Sequence, residues 1–111
     1  MSFDSLYFEF LPPEYQPPGI IFHGEYQTES LEGTYDSYIV DKEGKVYHLT
    51  SQGKGQAAEH LSGGFSAAAC GTKDEIRLYG IFHRGRLLIL LDGEKPLFVD
   101  RKWYETFMRT N

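Results

Sequence analysis

At 111 residues, with 41% hydrophobic and 15% aromatic side chains, the chain has enough length and apolar surface for one folded domain and too much for wholesale disorder. A formal charge of −5, with Lys and Arg scattered rather than massed, argues against nucleic acid as a partner. The longest apolar run, Leu87 to Leu91, is far short of the roughly 20 residues of a membrane-spanning helix, so no membrane partner is expected.

The first strand is expected at Leu6 to Phe10, where Leu6, Phe8 and Phe10 alternate with Tyr7 and Glu9. Pro12-Pro13 ends it, and Pro17-Pro18-Gly19 closes an extended linker, because proline fixes φ and cannot donate to a ladder. Ile20, Phe22 and Tyr26 then share a face, with Gly24 marking a bulge or close approach, and residues 27–33 read as irregular. Thr34 to Val40 and Lys45 to Thr50 form a hairpin around the turn signal Asp41-Lys42-Glu43-Gly44. Residues 51–75, rich in glycine and alanine, read as one long loop with at most a helical turn over Gln56 to Leu61.

Strand character resumes from Ile76 to Phe82, turns at Arg84-Gly85, and continues from Arg86 to Leu91. That last run is apolar on both faces, as a strand covered on both sides requires. Asp92-Gly93 turns the chain into Leu97-Phe98-Val99, with Pro96 suited to the strand's first position or to an edge. Asp100 then caps a helix from Arg101 to Arg109, in which Trp103 with Phe107, and Tyr104 with Met108, have one-face spacing. The expected fold is a mainly β single domain over residues 1–111. Its antiparallel hairpins form a rolled sheet or small barrel, followed by a short C-terminal helix.

Charge is unevenly distributed. Residues 1–41 hold eight acids and no lysine or arginine, for −8, while the remainder hold eight acids and all eleven basic side chains, for +3. Nine of the seventeen aromatics also lie in the first part, which makes it a candidate contact surface. Tyr7, Glu9, Glu25, Glu29, Glu32 and Asp36 are its candidate binding residues, with Tyr7 expected to face outward beside Glu9.

Catalytic and metal signatures are weak beside this. His23, His48, His60 and His83 show no metal-ligand spacing with each other or with Cys70, so no metal is expected. Gly53-Lys54-Gly55-Gln56-Ala57-Ala58 loosely matches a dinucleotide fingerprint but lacks the parallel βαβ unit that motif needs, so no cofactor is expected. Ser62 and Ser66 lie outside a nucleophile elbow, and Cys70 sits among alanines rather than cations. The single cysteine also suits a reducing compartment, and the N-terminus has no basic n-region, so a cytoplasmic location is expected.

The segment from Gly24-Glu25-Tyr26-Gln27-Thr28-Glu29 through Asp36-Ser37-Tyr38-Ile39-Val40 to Asp41-Lys42-Glu43-Gly44-Lys45-Val46-Tyr47 resembles the opening of a group of small uncharacterised bacterial and prophage-encoded proteins. That group carries a lysine where this chain has Glu29. The resemblance covers about a fifth of the chain and implies a bacterial or phage origin and a β-rich fold, with no activity to carry over.

Function is therefore expected to be non-enzymatic. The chain reads as a protein-interaction module, in one form an inhibitor encoded by a mobile element, whose acidic aromatic surface meets a basic surface on another protein. The alternative is a small-ligand or enzymatic site between the sheet and residues 51–75, built on His48, His60 or His83. A homo-oligomer in which the acids meet Arg77, Arg84 or Arg86 of another copy is a third arrangement.

Overall fold

Leu6 and Phe8 point into the core from the first strand, and the rest of the fold is arranged around that strand. The computed structural model describes residues 2–17, 24–69 and 75–109. Strand β1 (Asp4–Phe8) pairs antiparallel with β2 (Tyr26–Thr28) on one side and parallel with β3 (Ser37–Val40) on the other. The sheet continues through β4 (Val46–Thr50), β5 (Gly53–Ala57), β6 (Gly63–Ala69), β7 (Arg77–His83), β8 (Arg86–Asp92) and β9 (Lys95–Val99). Their spatial order is β5-β4-β3-β1-β2-β6-β7-β8-β9, and every pairing except β1 with β3 is antiparallel. Helix α1 (Arg101–Arg109) follows and packs on β8.

The mainly β fold with a C-terminal helix is as the sequence implies, but the sheet is mixed and rolled rather than closed into a barrel. Its roll is pinned where the start of β4 meets the start of β8: Lys45 bridges Arg86, Val46 N donates to Gly85 O at 2.9 Å, and Leu87 N to Gly44 O at 2.7 Å. Both glycines are required there. Gly44 and Gly85 have φ of +91° and +75°, and a Cβ on Gly85 would lie 2.6 Å from Ala58 O. β5 and β9 remain as the two edges, and Pro96 lies on one of them.

Residues 51–75 were expected as a loop, yet they hold β5 and β6. Phe65, Ala67 and Ala69 point into the core from β6, alternating with Gly64, Ser66 and Ala68. Glycine and alanine have little intrinsic strand preference, so β6 owes its form to pairing with β2 and β7. Its one large residue, Phe65, stacks on Phe82 at 4.4 Å and requires a small partner across the pair: a Cβ on Gly80 of β7 would lie 2.6 Å from the Phe65 ring. The irregular stretch expected from Gln27 is also shorter than expected, since β2 runs to Thr28.

The connection from β2 to β3 crosses the start of β1 and is held there by a buried carboxylate. Asp4 accepts hydrogen bonds from the backbone amides of Gly33 (2.8 Å), Thr34 (3.1 Å) and Asp36 (2.9 Å). Asp41 acts likewise in the predicted β3–β4 turn, accepting from Glu43 N and Lys45 N. Asp100 Oδ1 accepts from Trp103 N at 3.2 Å, the N-cap expected of it. Ile20, Phe22, His23 and Cys70 lie outside the described residues, as do the side chains of Tyr104, Phe107 and Met108.

Candidate functional site

The acids of the first part are mostly engaged inside the fold. Tyr7 is buried rather than facing solvent, and its hydroxyl donates to Glu25 Oε1 at 2.9 Å. Burial, with Glu25 adding to it, pushes Tyr7 up to about 12. Gln27 Nε2 donates to the other Glu25 oxygen, and Lys54 pairs with Glu9 at 2.7 Å. That hydrogen bond to Glu9 holds the Lys54 ammonium above its ordinary range. Glu32 meets His60 Nε2 at 3.3 Å, and Asp36 accepts from the Thr34 hydroxyl at 2.6 Å.

Of the six predicted binding residues, the structure thus brings Tyr7, Glu9 and Glu25 to the outer face around β1. Tyr7 and Glu9 border a cavity of about 550 Å³ there, with Ile39, Lys42 and Leu49. Glu32 and Asp36 stand on the crossover connection, and Glu29 faces a separate hollow with Phe3, Gln27 and Arg77. They do not form one contiguous set.

Two of the candidate histidines do converge. His48 of β4 stacks on His60 at 5.6 Å between ring centroids, Tyr38 lies 5.0 Å from His48, and Glu32 reaches His60. Tyr38 and His48 face each other across the β3–β4 pair. The Tyr38 hydroxyl is fully buried. Burial, then the carboxylates of Asp36, Asp4 and Glu32, push it up to about 12. Among the described residues no group of three or more His, Cys, Asp or Glu is placed to hold a metal ion. His83 stands apart from this pair, 5.7 Å from the Trp103 ring.

The feature that the acidic patterning did not indicate lies on the outer face of β7–β9. Five large apolar side chains are exposed among the described residues, and four of them are Tyr79 (48%), Ile81 (45%), Val99 (37%) and Trp103 (40%). Cross-strand register puts Ile81, Ile89 and Val99 in one row and Tyr79 beside Leu91 in the next. Helix α1 stands over β8 and leaves a groove of about 580 Å³ beside it. Ile81, Leu88, Ile89, Leu91 and Trp103 line that groove, with His83, Ser62 and Thr106 as its few polar members. Leu88 is the residue that the β7–β8 register skips, and it is buried there.

A signal for this face was present in the sequence. β8 is apolar on both sides, and only its inner side, Leu87 and Leu90, is fully enclosed by the core. The outer side is covered in part by α1. Among the described residues, no helix is long and apolar enough to cross a membrane.

The chain matches no protein-family model, no curated protein and no solved structure.

Proposed function

We propose that the chain is a non-enzymatic protein-interaction module whose contact surface is the outer face of β7–β9 with helix α1. The observation that carries this reading is the gathering of Tyr79, Ile81, Val99 and Trp103 around an apolar groove. Aromatic and branched side chains left exposed together, on strands whose other face is core, are the usual anchors of a protein contact. The acidic first part is less suited to that role, because Glu9, Glu25, Glu32 and Asp36 already have partners within the fold. Its charge would act at a distance, by excluding acidic competitors from that side. The single cysteine supports a cytoplasmic setting, and the likeness of residues 24–47 to prophage-encoded proteins supports a bacterial or mobile-element origin.

A photo-crosslinking residue placed at Tyr79, and in a second variant at Tyr35, tests this in the source cell. Tyr35 is an exposed tyrosine of the acidic part, 64% accessible. A discrete adduct from position 79 alone supports the β7–β9 face, whereas one from position 35 alone returns the contact to the acidic surface.

A second reading, a small-ligand site at His48 and His60, is favoured by one observation, the convergence of both rings with Glu32. Imidazole NMR signals of His48 and His60 that stay unmoved by a metabolite mixture would remove it.

A further inference from the structure

We infer that the partner element seated beside α1 is an amphipathic helix with an acidic polar face, an inference that rests on the interaction reading above. The floor of the groove sets the first half of that chemistry. Ile81, Leu88, Ile89, Leu91 and Trp103 offer almost no hydrogen-bonding groups, so the element that fills it must present a stripe of apolar side chains. A stripe on a helix meets this requirement without leaving backbone amides unpaired, because a helix satisfies them internally.

The rim sets the second half. Residues 76–109 carry seven Lys or Arg and four Asp or Glu, for +3, within a chain of net charge −5. Two of those four acids are engaged, since Asp92 accepts from Tyr15 and Asp100 caps α1 and meets Arg86 at 3.5 Å, and of the seven cations Arg77 is likewise paired, with Glu75 at 3.1 Å. Arg84, Arg101, Lys102 and Arg109 are exposed, against Glu94 and Glu105. Helical periodicity places Lys102 and Arg109 in line with Thr106, which lines the groove, with the exposed Glu105 beside both, so two cations and one acid stand along the seat of the incoming stripe. Arg84 stands at the other end, at the β7–β8 turn, beside the Ser62 hydroxyl that accepts from its amide, with the exposed Glu59 next to the same turn. The partner is therefore acidic, the opposite sign from the one that the acidic first part suggests.

Trp103 is the only tryptophan in the chain and lines the groove, so its fluorescence reports occupancy directly. The test uses two tryptophan-free model helices, identical except for glutamates or lysines along the polar face, titrated into the full chain at low salt. The glutamate helix is expected to shift Trp103 emission and to bind at least about tenfold more tightly than the lysine helix, a gap that narrows as salt rises. Lys102→Glu combined with Arg109→Glu should close or reverse the gap, with circular dichroism confirming the fold. Ile81→Glu should weaken both helices.

Equal binding, or preference for the lysine helix, overturns the acidic assignment. If neither helix binds but position 79 still yields its crosslinked adduct, the partner chemistry is wrong and the interaction face stands. If neither helix binds and no adduct forms, both fail. A Trp103 shift that depends on protein concentration alone makes the occupant a second copy and overturns the inference.

Discussion

The hydroxyl of Tyr15 donates to Asp92 Oδ2 at 2.6 Å, joining residues 77 positions apart. Tyr26 adds a second tie by donating to the Tyr15 carbonyl oxygen, also at 2.6 Å, so Tyr15 is fixed both to β2 and to the end of β8. Tyr15→Phe should cost about 1–2 kcal/mol by urea denaturation, because a hydrogen bond to a carboxylate is lost while the ring still fills its site. Tyr79→Phe, at an exposed position, is the control and should change little.

Asp4 is fully enclosed and satisfies three amides of the crossover connection. Asp4→Ala leaves those donors without their acceptor, and should lower stability by about 3 kcal/mol. Asp4→Asn keeps one oxygen and should lose less. Hydrogen exchange at Gly33, Thr34 and Asp36 would report the loosening locally.

Gly85→Ala places a Cβ against the Ala58 carbonyl in a backbone conformation that L side chains rarely adopt. At least about 2 kcal/mol of destabilisation is expected, because the pinning of β4 to β8 must shift to make room. Loss of the Val46 and Leu87 amide protection would distinguish an opened roll from general weakening.

Alkali should unfold the protein through its tyrosines. Tyr7 and Tyr38 are pushed up to about 12, and Tyr15 and Tyr26 are also raised, Tyr15 chiefly by its bond to Asp92 and Tyr26 chiefly by burial. Between the unfolded value near 10 and the folded values, the unfolded chain has lost protons that the native state retains, so stability falls as pH rises. The phenolate absorbance of Tyr7, Tyr15, Tyr26 and Tyr38 should therefore appear only together with unfolding, followed in parallel by circular dichroism.

Ile81→Glu should leave stability within about 0.5 kcal/mol, since Ile81 is nearly half exposed on the outer face. The same substitution should abolish the adduct from position 79. If stability is unchanged and the adduct persists, the β7–β9 face is not the contact.

Much of the strand pattern was legible because each strand carries its own parity. β7 alternates between buried Leu78, Gly80 and Phe82 and exposed Arg77, Tyr79, Ile81 and His83, so any period-two reading finds it. The turns at Asp41 and Arg84-Gly85, and the Asp100 cap, were legible because short-range side-chain and backbone geometry suffices to make them. β5 and β6 were not legible, since glycine and alanine become strand here only through their neighbours. The candidate site was legible only in fragments. The acids were conspicuous as charge, but charge does not say whether its partner is Lys54, His60 or another protein. His48 and His60 were candidates whose meeting depended on the β4–β6 path.

By itself, then, the sequence determined which strands have an apolar side, where the chain turns, and that a capped helix closes it, because these follow from local periodicity and backbone preference. Tertiary structure alone decided that β1 inserts between β2 and β3, that the sheet rolls until β4 meets β8, and that the acids of residues 1–41 serve mainly within the fold. It also decided which apolar surface stays uncovered. Alternation marks a strand's apolar side, but only the placement of α1 over β8 determines that Tyr79, Ile81 and Trp103 remain exposed.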